Sequence, residues 1–182
     1  MKKITLHFGL LFLFTGLLGG LHAQMSPSEA LAMRADMTKA VLEGSESAAS
    51  AIARLAKAKG VSGLNIEAGA ELAFACMDIG QRLLIQNHGA DAAQFFKAAE
   101  AALAILVRTT PDAKAAQKAR YLQQIAFVRG HCLGQTGQSK LDIDQAISLQ
   151  PDDKDLQRIK RWIGNAHGSV FKEGPADSPK GK

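Results

Sequence analysis

The sequence predicts an all-α domain, and three observations carry that prediction. About 30 of its residues are Ala, the strongest helix former, while Val, Ile, Thr and Tyr are sparse. Apolar residues recur at steps of three and four, and no stretch alternates at period two for a strand's length. All five prolines stand between helical stripes or in the C-terminal tail.

Length and composition narrow the class further. With 182 residues, 47% hydrophobic content and two Cys, the chain is neither a disulfide-dense mini-protein, nor collagen-like, nor intrinsically disordered. One domain of this size buries most of its apolar surface without metals or bridges.

Residues 1–23 read as an address. Lys2 and Lys3 give a positive start, Leu6 to Leu18 an apolar run, and Leu21-His22-Ala23 a cleavage site, the anatomy of a secretory signal peptide. The apolar run is shorter than a bilayer span. No Cys lies near the cut, which argues against lipoprotein anchoring, and no second run of membrane length follows. The expected product is an exported bacterial protein, periplasmic or secreted, with one domain over 24–164 and a disordered tail over 165–182. Removing Lys2 and Lys3 lowers the formal charge from +5 to +3, too small a surplus to indicate nucleic acid.

Seven helices are expected. Ser26-Pro27-Ser28-Glu29 opens the first with a cap, a proline at the first position and a Glu three after the cap. Ala30, Met33, Met37 and Val41 follow, and Gly44 with Ser45 and Ser47 marks a break. Ile52 and Leu55 carry a second helix to about Lys59, before a Gly60-Val61-Ser62-Gly63 turn. The third runs from about Asn65 to Asn87 on Leu72, Cys76, Ile79 and Leu83. Asn87-His88-Gly89 ends it, because these residues tolerate left-handed backbone. The fourth, Ala90 to Arg108, carries Phe96, Ala99, Leu103 and Leu106 and stops at Pro111. The fifth, Asp112 to Leu133, carries Tyr121, Ile125, Val128 and Cys132, with a corner over Gly134 to Gly137. The sixth, Ser139 to Leu149, closes at Pro151. Asp152 or Asp153 caps the seventh, with Leu156, Ile159 and Ile163 inward and Lys154, Arg158 and Arg161 outward.

Short Gly and Pro turns between successive helices suggest antiparallel hairpins. From Cys76 to Ala99, Ile79-Gly80, Leu83, Ala92, Phe96 and Ala99 resemble the tetratricopeptide repeat pattern. The resemblance implies that Gly80 lets paired helices approach, that Ala92 is the small contact on the second helix, and that Phe96 fills the gap between neighbours. Cys76 stands where the family usually has a large aromatic residue. A partial second signature joins Gly130, Leu133 and Gly137 to Ala146-Ile147-Ser148-Leu149-Gln150-Pro151. That stretch is about three residues short of the repeat, and its large second-helix residue has no clear equivalent. The resemblance covers roughly residues 73–163 and implies hairpins stacked as an irregular right-handed superhelix, with the seventh helix a cap and Trp162 covering the open end of the core. An Ala-rich helical bundle is the alternative.

In such an array Cys76 and Cys132 lie on neighbouring first helices. Export permits a disulfide, while two buried thiols acting as small hydrophobes is the simpler reading. No C-x-x-C-H, H-E-x-x-H or C-x-x-C is present, and adjacent His131 and Cys132 point about 100° apart on a helix, which disfavours chelation. His131 is therefore expected to be exposed and His88 to be a turn residue. Asp142 and Asp144 lack the Gly and Glu of a calcium loop. Other carboxylates fall on predicted solvent faces beside Lys or Arg. No metal, cofactor or catalytic group is expected. The expected function is non-catalytic protein or peptide binding, as an envelope scaffold, in a groove lined by first helices. Gln81, Arg82, Gln86, Gln123, Gln124 and Arg129 are the candidate contacts, since amides and guanidiniums suit peptide backbone and carboxylates. The alternative is a ligand-binding bundle with an internal cavity, and self-association stays open.

Overall fold

The computed structural model describes residues 25–61 and 66–165, the side chains of 59–61 and 164–165 excepted. The expected signal segment, the Ser62-Gly63 part of the second turn and the tail from 166 onward lie outside the described residues.

The chain is all-α. Its helices are α1 (Pro27–Leu42), α2 (Ala48–Val61), α3 (Ile66–Ile85), α4 (Gly89–Thr109), α5 (Ala115–Phe127), α6 (Thr136–Leu149) and α7 (Lys154–Asn165), and no strand occurs among the described residues. None of these helices is long and apolar enough to cross a membrane.

Local chemistry sets the boundaries. Ser26 Oγ accepts from the Glu29 N–H at 3.2 Å, while the Glu29 carboxylate accepts from the Ser26 N–H at 2.7 Å, so α1 starts on a closed capping box. Gly44 (φ 73°) and Asn87 (φ 64°) take left-handed backbone after α1 and α3, where the sequence places breaks. Asp153 Oδ1 accepts from the Asp155 and Leu156 N–H groups and caps α7.

Packing follows the stripes. Leu72, Cys76, Ile79 and Leu83 of α3 and Phe96, Ala99, Leu103 and Leu106 of α4 are buried in one cluster, joined by Phe95, which the stripe reading had left out. A methyl placed on Gly80 would come within 3.0–3.2 Å of the Phe96 ring, so Gly at 80 is what permits α3 and α4 to approach this closely. Gly69 plays the same part further along, 3.1 Å from the Leu106 side chain by the same measure.

The first pair departs from expectation. α1 and α2 barely touch each other; α1 packs on α3, and α2 on α4. Met37 and Leu55 consequently bury into the core that α3 and α4 build, rather than into a hairpin of their own.

A second, smaller cluster joins Leu122 and Ala126 of α5, Ile143 and Ala146 of α6, and Leu156 and Ile163 of α7. The long fifth helix is divided. A single 3₁₀ turn, Asp112–Lys114, precedes α5, and a π-helical turn, Val128–Cys132, follows it. There the Leu133 N–H donates to the Val128 carbonyl at 3.0 Å. At the centre of this turn Gly130 faces Ser139. The chain then reverses at Gly134 (φ 71°), and α6 begins at Thr136, three residues earlier than expected, with Gly137 inside its first turn. Likewise α2 continues through Val61, so the Gly60-Val61 pair is helical rather than a turn.

Ser139, Ile143 and Ala146 lie three and four residues apart, all 0% exposed, on the face of α6 that meets α5 and the π turn. Ser139 packs against Gly130, and Ile143 is buried in the smaller cluster.

Candidate functional site

Three of the six candidate contacts converge. Gln81 on α3 and Gln123 and Gln124 on α5 line a surface cleft of about 400 Å³, together with Met77, Phe127, Ile159 and Trp162. None of the seven residues is charged. Met77 and Gln81 are one helical turn apart on α3, as are Gln123 and Phe127 on α5, while Ile159 and Trp162 come from one face of α7. Three helices distant in sequence thus each contribute one face.

Trp162 is not the lid of the core. It is 44% exposed, stacked on Phe127 with ring centroids 6.1 Å apart and planes inclined by 13°. His131 completes the group, 5.3 Å from Phe127 and 5.1 Å from Trp162. The expectation of a solvent-exposed His131 therefore fails: it is half-buried against two aromatic rings. Such geometry is worth about 0.5–1.5 kcal/mol per pair beyond area burial, and it anchors the exposed indole in one orientation.

The other three candidates go elsewhere. Arg82 bonds Asp78 at 3.2 Å and lines a different groove, with Leu31, Arg34 and Lys39 of α1. Gln86 lines a third depression, near Glu43, Glu46 and His88. Arg129 is the clearest correction. Its Nε donates to Glu100 at 2.8 Å and its Nη1 to both Asp142 oxygens at 2.9 and 3.0 Å, with side-chain exposures of 17%, 22% and 8% for the three residues. Burial alone would lower the guanidinium pKa; the bonds to Glu100 and Asp142 outweigh it and raise the pKa. Arg129 is thus an internal brace between α4, the π turn and α6, and its removal reports on folding rather than on binding. Asp142 is buried as its partner.

Cys76 and Cys132 are both buried thiols rather than a bridged pair, and burial pushes the Cys132 pKa up to about 12, which keeps it protonated and unreactive at neutral pH. Among the described residues no three His, Cys, Asp or Glu side chains converge as metal ligands.

The α7 side of the cleft was missed because Trp162 and Ile159 were assigned to the core. One signal was present: Trp162 lies one position off the Leu156, Ile159, Ile163 stripe, on the edge of the apolar face. No known protein family matches the chain, and no curated protein and no solved structure shows significant similarity to it, so its own geometry carries the functional reading.

Proposed function

We propose that this chain is an exported, non-catalytic peptide-binding module of the cell envelope, built on irregular tetratricopeptide-like helical pairs. The observation that carries the reading is the uncharged cleft in which Gln81, Gln123 and Gln124 meet Met77, Phe127, Ile159 and Trp162. Each primary amide offers two donors and one acceptor, the complement of a peptide backbone, while the apolar floor accepts one anchoring side chain. The seven lining residues include no charged or nucleophilic side chain, which supports reading the cleft as a holding site. The close approach at Gly80 and Phe96 supports the repeat-like pairing, and residues 1–23 support export. A one-anchor site of this size implies a Kd on the order of 10 μM, about −7 kcal/mol.

The test is selection of short peptides from a displayed random library against the chain, with affinities read by anisotropy of labelled peptide. Selected peptides should share one aromatic or aliphatic anchor. Trp162→Ala and the Gln123→Ala/Gln124→Ala pair should each weaken binding at least about tenfold, roughly 1.4 kcal/mol. Arg82→Ala, in a separate groove, should leave it unchanged. Selection of nothing, or of peptides that bind Trp162→Ala equally well, refutes the proposal.

A further inference from the structure

The seventh helix delivers the chain to the mouth of the cleft it helps to build. Trp162 lines the cleft, and the described part of α7 runs three residues further, to Asn165, less than one helical turn away. The sequence that follows, residues 166–182, is small, polar or charged except for one adjacent apolar pair, Val170-Phe171. Gly168-Ser169 precedes that pair and Gly174-Pro175 follows it, so it stands between turn-forming residues.

Building on the peptide-binding reading of the cleft, we propose that this segment is its resident occupant: Val170-Phe171 seats beside Trp162 in the same molecule, as a strap that an external peptide must displace. Reach permits it. Phe171 stands six positions beyond Asn165, a stretch that spans about 20 Å when fully extended, against a helix diameter of about 10–12 Å to be crossed. Chemistry matches as well, because the cleft offers one apolar floor and three amides, and the segment offers one apolar pair in an otherwise polar backbone. Charge adds a register. Arg161, exposed and with no ion-pair partner among the described residues, adjoins Trp162, and Glu173 follows Phe171 by two positions. Tethering supplies the segment at an effective concentration in the millimolar range for a short linker, enough to occupy a site of micromolar affinity.

Trp162 is the chain's one tryptophan, so its emission reports on the cleft alone. The experiment compares the full chain with its Val170→Ser/Phe171→Ser and Glu173→Lys variants. Trp162 emission, acrylamide quenching and affinity for a library-selected peptide are the readouts. Seating of the strap predicts red-shifted emission and stronger quenching in the double variant, with a smaller change for Glu173→Lys. Peptide affinity should rise by at least about tenfold in the double variant, the factor once the strap fills nine-tenths or more of the site. Identical emission, quenching and peptide affinity in all three chains overturns the strap and leaves the binding-module reading standing. Altered emission with no peptide bound by any chain supports the strap and refutes the open binding module. An emission difference that disappears on dilution assigns the segment to a second copy and overturns docking within one molecule.

Discussion

Substituting Ala for Gly130 tests why the π turn and α6 can lie so close. A methyl at position 130 would fall 2.5 Å from Ser139 Oγ, closer than packed side chains come, and a tight 3.1 Å from its Cβ. Ser139 is fully buried and its hydroxyl donates to the Ala126 carbonyl at 2.6 Å, so the side chain cannot swing aside without losing that bond. Loss of the bond costs about 1 kcal/mol. Overpacking costs about 1–3 kcal/mol, and the better helix propensity of Ala returns about 1 kcal/mol at most. The expected net loss is about 2 kcal/mol, which lowers the urea midpoint by roughly 1 M at a slope near 2 kcal/mol/M. Equilibrium urea unfolding followed by circular dichroism reads this directly. A double-mutant cycle with Ser139→Ala isolates the clash: Gly130→Ala should cost at least about 1 kcal/mol less once the hydroxyl is gone. A midpoint unchanged by Gly130→Ala, or strict additivity in the cycle, would refute the close-approach argument.

The same unfolding assay carries further predictions. Gly137→Ala should stabilise by about 0.5–1 kcal/mol, since a methyl there meets nothing within 4 Å and the residue sits in the first turn of α6. Arg129→Met should destabilise by about 3–5 kcal/mol, because it leaves Asp142 buried without its cation; a loss below about 1 kcal/mol would show that the brace is not needed. Alkaline titration should lower stability as pH rises from 9 toward 12. The unfolded chain ionises Cys132 near its ordinary value of 9.0 whereas the folded chain holds it to about 12, and Cys132→Ala should flatten that limb. At the acid end, the Ser26 backbone N–H, then its hydroxyl, holds the Glu29 carboxyl below its ordinary 4.5. The capping contribution is therefore present above pH 4.5 and lost as pH falls through the lower folded value, which amide exchange in the first turn of α1 will follow.

Helix existence was legible because each helix owes its place to a one-sided apolar stripe, and a stripe is local. Leu72, Cys76, Ile79 and Leu83 announce their burial through spacing alone, as do the capping box at Ser26 and the reversal at Asn87. The polar interior was not legible for the opposite reason. Arg129 meets Glu100 and Asp142 at separations of 29 and 13 residues, and no short-range pattern encodes such a meeting. One trace of it was present: Ser139, Asp142, Ile143 and Ala146 share one face of α6 at steps of three, one and three. Reading that face as inward required admitting a Ser and an Asp to the core. The π turn was equally hidden, since its stripe of Tyr121, Ile125, Val128 and Cys132 keeps helical spacing while the hydrogen bonds shift. The cleft was half visible: the outward positions on α3 and α5 include Gln81, Gln123 and Gln124, but the contribution of α7 depends on where that helix lands.

α5 is a shared wall. Tyr121 and Ile125 belong to the larger hydrophobic cluster, which α1 to α4 complete, whereas Leu122 and Ala126 belong to the smaller one with α6 and α7. The cleft straddles this wall, with Met77 and Gln81 on one side and Ile159 and Trp162 on the other. Whatever lies in it fastens two units that otherwise meet through α5, the Arg129 brace and the aromatic stack. With the cleft empty, the smaller unit is expected to open locally at a free energy below that of global unfolding, which amide exchange in α6 and α7 will read. With the cleft filled, that local opening is suppressed, so occupancy is written into the exchange protection of the two last helices as well as into the melting midpoint.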